Sequence, residues 1–282
     1  MAYSNTATKR PTELGQLMPR IALGLQYDGR AYQGWQSQTH GQTVQDTLET
    51  ALHRFATMPI AVQCAGRTDT GVHALEQVVH FDVSLERDMH AWVRGVNAFL
   101  PDTIAVRWAK EVQPEFHARF DAYRRTYHYL IYNHAVRSPI WAGRAGWYHH
   151  PLDVDKMHEA AQALVGEHDF SAFRAAECQA KSPVKTMYRI DVQCYGDAVV
   201  VSLSANAFLH HMVRNIVGSL IYIGAGKQPT DWLGFLLQQK NRHLSAPTFS
   251  AAGLYLSAIH YPEHHQLPAP RDDFAQALGL AQ

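Results

Sequence analysis

The chain has 282 residues, of which 46% are hydrophobic and 18% charged, a balance that supports a full core and excludes a disordered chain. Lys and Arg total 25 and so do Asp and Glu, so the formal net charge is zero and any nucleic-acid surface has to be a local one. Cys64, Cys178 and Cys194 lie far apart with no CxxC spacing, which excludes a disulfide scaffold or a cysteine-based zinc knuckle and fits a reducing compartment.

In chain order, residues 1–19 are polar and aperiodic and read as a flexible tail without the apolar core of a secretory signal. Arg20–Tyr27 alternates as a strand does. After a glycine-rich loop, Thr43 caps a helix over 43–58 that places Val44, Leu48, Ala51, Leu52 and Phe55 on one face. The β-branched run 60–64 is a second strand, 77–83 a third and 103–112 a fourth, with a short helix over 88–100. The second half opens on an aromatic, β-prone run from Arg125 to Asn133. It continues with an amphipathic helix over 152–165 and strands over 186–195 and 198–208, joined by a Gly196-Asp197 hairpin. A long apolar helix over 208–224, a helix over 231–239 and a strand over 253–261 complete it. Residues 212–225 are the richest apolar run, but Arg214 and Asn215 interrupt it and it is shorter than the roughly 20 residues of a membrane span. Pro262, Pro268 and Pro270 mark 263–282 as a second tail. The order predicts an α+β protein of two split βαβ units, 20–116 and 117–262, sharing one extended sheet.

Three segments carry candidate chemistry. In CAGRTDTGVH, residues 64–73, Gly66 and Gly71 flank Arg67, Thr68, Asp69 and Thr70. Such glycines let the backbone turn sharply and hold Asp69 at a fixed tip, as a reactive carboxylate requires, although the same residues also make an ordinary capped turn. Residues 116–133 interleave Arg119, Arg124 and Arg125 with Phe116, Phe120, Tyr123, Tyr127 and Tyr129. Guanidinium groups meet phosphates and rings stack on unpaired bases at roughly 1–3 kcal/mol each, so the pattern suits RNA; a strand with one charged and one aromatic face fits equally. Tyr127 and Tyr129 point the same way on such a strand. In 206–215, Arg214 sits among Met212, Val213, Ile216 and Val217 and needs an anionic partner, structural or catalytic.

The 18 histidines include the pairs His149-His150, His210-His211 and His264-His265. Neighbours on a strand face opposite ways, and on a helix they diverge by about 100°, so neither arrangement makes a metal site. HExxH and P-loop motifs are absent, and the loop 29–34 opens no helix suited to a dinucleotide. No metal and no cofactor are expected.

Together the segments resemble one family. Tyr27-Asp28-Gly29, Tyr32, Gly34-Trp35-Gln36 and Thr43-Val44-Gln45 are similar to its N-terminal signature, and Ala65–Asp69 with Gly71-Val72-His73 to its catalytic loop. Phe116–Phe120 with Arg125–Tyr129, Phe208–Asn215 and Gly253–Leu256 are similar to its later blocks. The family is tRNA pseudouridine synthase I, and the match runs from about residue 21 to 261. The resemblance implies the pseudouridine synthase fold: two ferredoxin-like units sharing a mainly antiparallel sheet, with helices on its outer face. It implies cofactor-free isomerisation of uridines 38, 39 and 40 of the anticodon stem-loop by a homodimer, and the missing signal and membrane span make the expected location cytoplasmic. Asp69 would be the essential carboxylate, adding to C1′ or C6 of the nucleotide or assisting removal of a ribose proton. Arg214 would pair with it and favour its charged form. Tyr127 would stack on the flipped base, its phenol assisting removal of the C5 proton. Arg67, Thr68, Arg119 and Arg125 would contact substrate, with Leu254 at the floor. Ser37 departs from the pattern by standing where many relatives carry a basic residue. The competing readings are an isomerase for other RNA positions, a non-catalytic RNA-binding module and a His-rich metal hydrolase.

Overall fold

The computed structural model describes residues 18–270 and 274–280. The expected N-terminal tail thus falls outside the described residues except for Met18 and Pro19.

The first half runs β1 (Arg20–Tyr27), α1 (Val44–Ala56), β2 (Gln63–Cys64), β3 (His73–Asp82), α2 (Met89–Asn97) and β4 (Ile104–Val112). Both helices start where a side chain satisfies a free backbone donor: Thr43 accepts from the Asp46 N–H and Asp88 from the His90 N–H. The strands lie in the order β4-β1-β3-β2 with every neighbour antiparallel. The second half supplies β5 (Arg124–Asn133), β6 (Gly146–Tyr148), α3 (Val154–Ala161), β7 (Gly166–Asp169), β8 (Val184–Tyr195) and β9 (Ala198–Ala205). It closes with α4 (Met212–Gly224), α5 (Trp232–Gln239) and β10 (Leu254–His260), and α6 (Phe274–Ala277) follows. Its order, β10-β5-β9-β8, repeats that of the first half with β5, β8, β9 and β10 in the places of β1, β2, β3 and β4. These are the two ferredoxin-like units, and the ten-stranded sheet is mostly antiparallel. Their seam is parallel: β10 meets β3 through the pairs Tyr255↔His73 and Leu256↔Ala74.

The seam decides where a site can form. Pairing Leu254 with Tyr129 and Leu256 with Tyr127 puts these four side chains on one face. Leu254 is buried with the helices of the second half, Leu256 with α1 and α2, and Tyr127 packs against both groups. Helices of both halves therefore cover the same face, and the join between them lies over β3, β10 and β5. On the opposite face Leu130, Val200 and Tyr255 pack against Phe274 of α6. Residues expected as a C-terminal tail thus return to the sheet, where the Phe274 ring stacks on His128 at 4.3 Å.

Several boundaries differ from the sequence reading for identifiable reasons. The strand expected over 60–64 is only Gln63–Cys64, because the Val62 N–H donates to Glu49 of α1 at 2.9 Å instead of to the sheet. Strands β6 and β7 have three and four residues, too short to show a period. The helix expected over 152–165 tightens into a 3-10 turn at Gln162–Leu164. The helix expected from 208 begins at Met212, because His211 is left-handed with φ 60°. Among the described residues no helix is long and apolar enough to cross a membrane.

Candidate active site

The loop between β2 and β3 is held from three sides. The Gln77 side chain bonds both the N–H and the carbonyl of Gly66, at 3.3 and 2.5 Å. The Tyr27 and Thr68 hydroxyls meet at 2.8 Å, and the Trp35 N–H donates to the Thr68 carbonyl at 3.0 Å. Two glycines of the preceding signature allow this approach. A Cβ at Gly29 would lie 2.0 Å from the Val72 carbonyl oxygen, and Gly34, with φ +86°, would place one 2.8 Å from that of Thr68. Behind the loop, buried His73 accepts from the Gly29 N–H at 3.2 Å, reaches the Gly143 carbonyl at 3.0 Å and stacks on Tyr255 of β10. The tip carrying Asp69 is thereby tied to the seam.

Three cationic or imidazole groups converge on that tip. Arg214 donates through Nη1 to Asp69 Oδ2 at 3.2 Å and through Nε to the Phe249 carbonyl at 2.8 Å, so its guanidinium is fixed in direction. His210 Nε2 lies 3.2 Å from Asp69 Oδ1 and His211 Nε2 3.3 Å from Oδ2. This convergence corrects the expectation that adjacent histidines point apart. The left-handed backbone at His211 is neither helix nor strand, and it brings the two rings to 3.9 Å between centroids. Such a conformation costs a non-glycine residue about 1 kcal/mol or more and tends to occur at functional positions. Burial lowers the His211 pKa, with the Asp69 charge opposing it. One turn into α4, buried Asn215 donates to the Phe173 carbonyl at 2.8 Å and accepts from Arg242 and Thr248 at 3.0 and 2.7 Å. That network braces both the start of α4 and the segment presenting Phe249. A cavity of about 410 Å³ opens over Asp69, with Gly34 and Trp35 on one wall and His210, His211 and Arg214 on the other.

The other candidate residues fall into distinct positions. Thr68 borders the cavity, but its hydroxyl is spent on Tyr27. Tyr127 is half-buried, its hydroxyl 3.9 Å from where a Cβ on Gly66 would be and its ring edge-on to Phe208. Burial pushes its phenol far above the ordinary range, and the Asp69 charge adds to this. The phenol is therefore neutral at ordinary pH, and its ring offers an apolar surface. Tyr129, on the same strand face, is a core residue donating to the Ser250 carbonyl at 2.7 Å. Leu254 is buried among the helices of the second half. Arg125 is not an open phosphate ligand. Its guanidinium donates to the carbonyls of Ala122, Asn206, Ala65 and Arg119 at 2.7, 3.1, 3.2 and 2.7 Å and clamps three segments together. Phe120 is 73% exposed, with the Arg119 guanidinium 5.7 Å from its ring centre, and the charges of Arg67 and Arg119 both oppose the rise that burial gives the Cys64 pKa. Ser37 bonds Asp46 and Gln45 at the start of α1. His210, His211, Arg242 and Thr248 were not singled out from the sequence as site residues; the His-His pair directly before the Arg214 segment was the available signal.

A family model described as tRNA pseudouridine synthase matches residues 25–121 and 160–262. The chain belongs to that family. Asp69 and Arg214 both fall inside the matched blocks, whereas Arg125 and Tyr127 fall between them. The chain is 59% identical over 254 residues to tRNA pseudouridine synthase A of Paraburkholderia phymatum, covering 90% of this chain and 95% of the relative. Proteins of the same name from Bordetella petrii and Herminiimonas arsenicoxydans are each 60% identical, covering 89% and 88% of this chain and 94% and 92% of theirs. Among solved structures, a chain of a Cbf5-Nop10-Gar1 complex aligns with a TM-score of 0.35 and 12% identity, covering 84% of this chain and 48% of that one. For a family member, the join between the halves brings a carboxylate from one half to a guanidinium from the other.

Proposed function

We propose that this chain isomerises uridine to pseudouridine at positions 38, 39 and 40 of the tRNA anticodon stem-loop, with Asp69 as the essential carboxylate. The observation that carries the reading is the Asp69–Arg214 pair at 3.2 Å, facing a cavity of about 410 Å³. The reaction conserves atoms. The N1–C1′ bond breaks, the uracil turns, C5 joins C1′, and the proton leaving C5 is balanced by one gained at N1. A stem uridine has to leave its stack first, at a cost of a few kcal/mol. Tyr127 provides a ring for the extruded base, with Leu254 in the floor behind it. Asp69 acts at the ribose or the base, and Arg214 holds its carboxylate in a single direction. Arg67 and Arg119 contact the RNA backbone, and the exposed Phe120 ring lies beside Arg119.

We further read residues 20–116 and 117–262 as the two structural halves, the working unit as a cytoplasmic homodimer spanned by one tRNA, and the chemistry as needing no cofactor. The repeated strand order supports the first of these. The test is incubation of chelator-treated protein with unmodified tRNA, followed by carbodiimide mapping of pseudouridine. Modification at 38–40 is expected, and its absence there overturns the proposal. Modification only elsewhere in RNA favours a synthase of different site preference. Asp69→Asn separates catalysis from a binding module, because it removes turnover and leaves tRNA binding largely intact.

A further inference from the structure

We propose that Asp69, His210 and His211 form a binding site for a divalent transition-metal ion of the zinc class, and that the bound ion shuts off the isomerisation by occupying the carboxylate. The donor atoms of these three side chains lie within 4.8 Å of one another, and this is the assembled group of that kind among the described residues. Zinc bonds to nitrogen and carboxylate oxygen are about 2.0–2.1 Å, so neighbouring ligands around a tetrahedral ion are roughly 3.3–3.4 Å apart. His210 Nε2 to Asp69 Oδ1 is 3.2 Å, which already matches one such edge, and the His211 ring, whose Nε2 lies 3.3 Å from Oδ2, has to turn toward Oδ1 to complete the set. Two imidazoles and one carboxylate leave the fourth position open toward the cavity, where water completes the shell. The donor set selects zinc, copper or nickel over magnesium and calcium, which prefer oxygen-only shells.

The surroundings set the strength. Arg214 stands 3.2 Å from Asp69 Oδ2 and repels a dication. The ion therefore takes the Oδ1 side, and Arg214 keeps its bond to the Phe249 carbonyl. A ligating imidazole that lacks an orienting partner on its second nitrogen loses about 10–100-fold in affinity, and the structure gives no such hydrogen bond to Nδ1 of either ring. The site is therefore reversible and weaker than a structural zinc site. The ion removes the carboxylate from the reaction and fills the space over it. The binding half of the proposal stands on geometry alone, and the inhibitory half rests on the isomerase reading.

The test uses the full chain, chelator-treated and free of RNA, with cobalt(II) as the spectroscopic probe and zinc as competitor. One equivalent of cobalt is expected to develop the intense visible bands of a four-coordinate ion, and zinc to displace it. His210→Gln and His211→Gln, confirmed as folded by circular dichroism, should each weaken metal binding by about tenfold or more. His149→Gln, at a histidine pair elsewhere, should not. Binding unaffected by His210→Gln, weakened by His149→Gln, or seen only as the pale spectrum of the hydrated ion overturns the site. A separate assay distinguishes the two readings. If the metal-free protein modifies tRNA and bound zinc does not slow it, the inhibitory claim fails. If the metal-free protein modifies no tRNA while the cobalt spectrum appears, the isomerase reading fails and the metal site stands.

Discussion

The Arg214 guanidinium on α4 and the Asp69 carboxylate on the β2–β3 loop meet at 3.2 Å, although 145 positions separate them in the chain. Because Arg214 also donates to the Phe249 carbonyl, one side chain has to satisfy two acceptors in different directions. A lysine ammonium is a point charge without that planar fork. Arg214→Lys should lower the single-turnover rate on tRNA by about 10²-fold, the effect of misplacing a reacting group by an ångström, with tRNA affinity little changed. An equal loss in affinity and rate would mean that Arg214 binds RNA and does not direct Asp69.

Gly29→Ala tests the support of the tip that carries Asp69. Its Cβ would meet the Val72 carbonyl oxygen at 2.0 Å, a backbone contact that no rotamer change relieves. The expected outcome is a rate loss of about 10²-fold from displacement of the loop, with a lower melting temperature. Wild-type turnover in this variant would show that the loop position is not critical.

Arg125→Met separates a clamp from an RNA contact. Removing the guanidinium leaves carbonyls of Ala122, Asn206, Ala65 and Arg119 without their donor. At about 1–3 kcal/mol for a buried unpaired group, less where water replaces the donor, roughly 2–4 kcal/mol of stability should be lost. Urea unfolding measures this. A normal urea midpoint combined with weakened tRNA binding would return Arg125 to the RNA surface.

Binding of tRNA should weaken steeply with salt, because phosphate contacts release counterions. Arg67→Ala and Arg119→Ala should each reduce the slope of log affinity against log salt by about one. Slopes equal to wild type in both variants would place the phosphate contacts elsewhere.

Stability should fall between pH 6.5 and 4 through His80. Burial pulls its pKa down to about 4, and its Nδ1 accepts the Ala118 N–H at 3.2 Å, which requires the neutral ring. In that window the unfolded chain takes a proton and the folded chain does not, so unfolding is favoured as pH drops. The contribution is fully present above about 6.5, and roughly 2–4 kcal/mol of it is lost by pH 4. His80→Gln keeps an acceptor but cannot titrate, so its urea midpoint should change less between pH 7 and 4.5 than wild type does. Parallel profiles would remove His80 from the account.

Much of this molecule can be read before any coordinate. The strand over Arg20–Tyr27 and the Thr43 cap both reappear in the structure, although the strand lies between two neighbours and is buried almost throughout instead of on alternate residues. Arg214 was expected to need an anion because of its apolar neighbours, and it found Asp69. What stayed hidden was non-local or conformational. Arg125 has the same chemistry whether it faces phosphate or four carbonyls, and only the fold decides between them. The converging histidines depend on one positive φ at His211, to which a period of 2 or 3.6 is blind. Strands β6 and β7 are defined by their partners and not by their own patterns.

The parallel pairing of β10 with β3 has a consequence for biosynthesis. The first half contains Asp69 and all of its local supports, yet His73 behind the loop stacks on Tyr255, and Arg214 is anchored by Phe249. A ribosome has to deliver nearly the whole polypeptide before these partners exist. A nascent chain paused before residue 249 would therefore carry both Asp69 and Arg214 but lack the Phe249 carbonyl that anchors the guanidinium and the Tyr255 ring that backs His73, so the pair is fixed only as the last strand emerges.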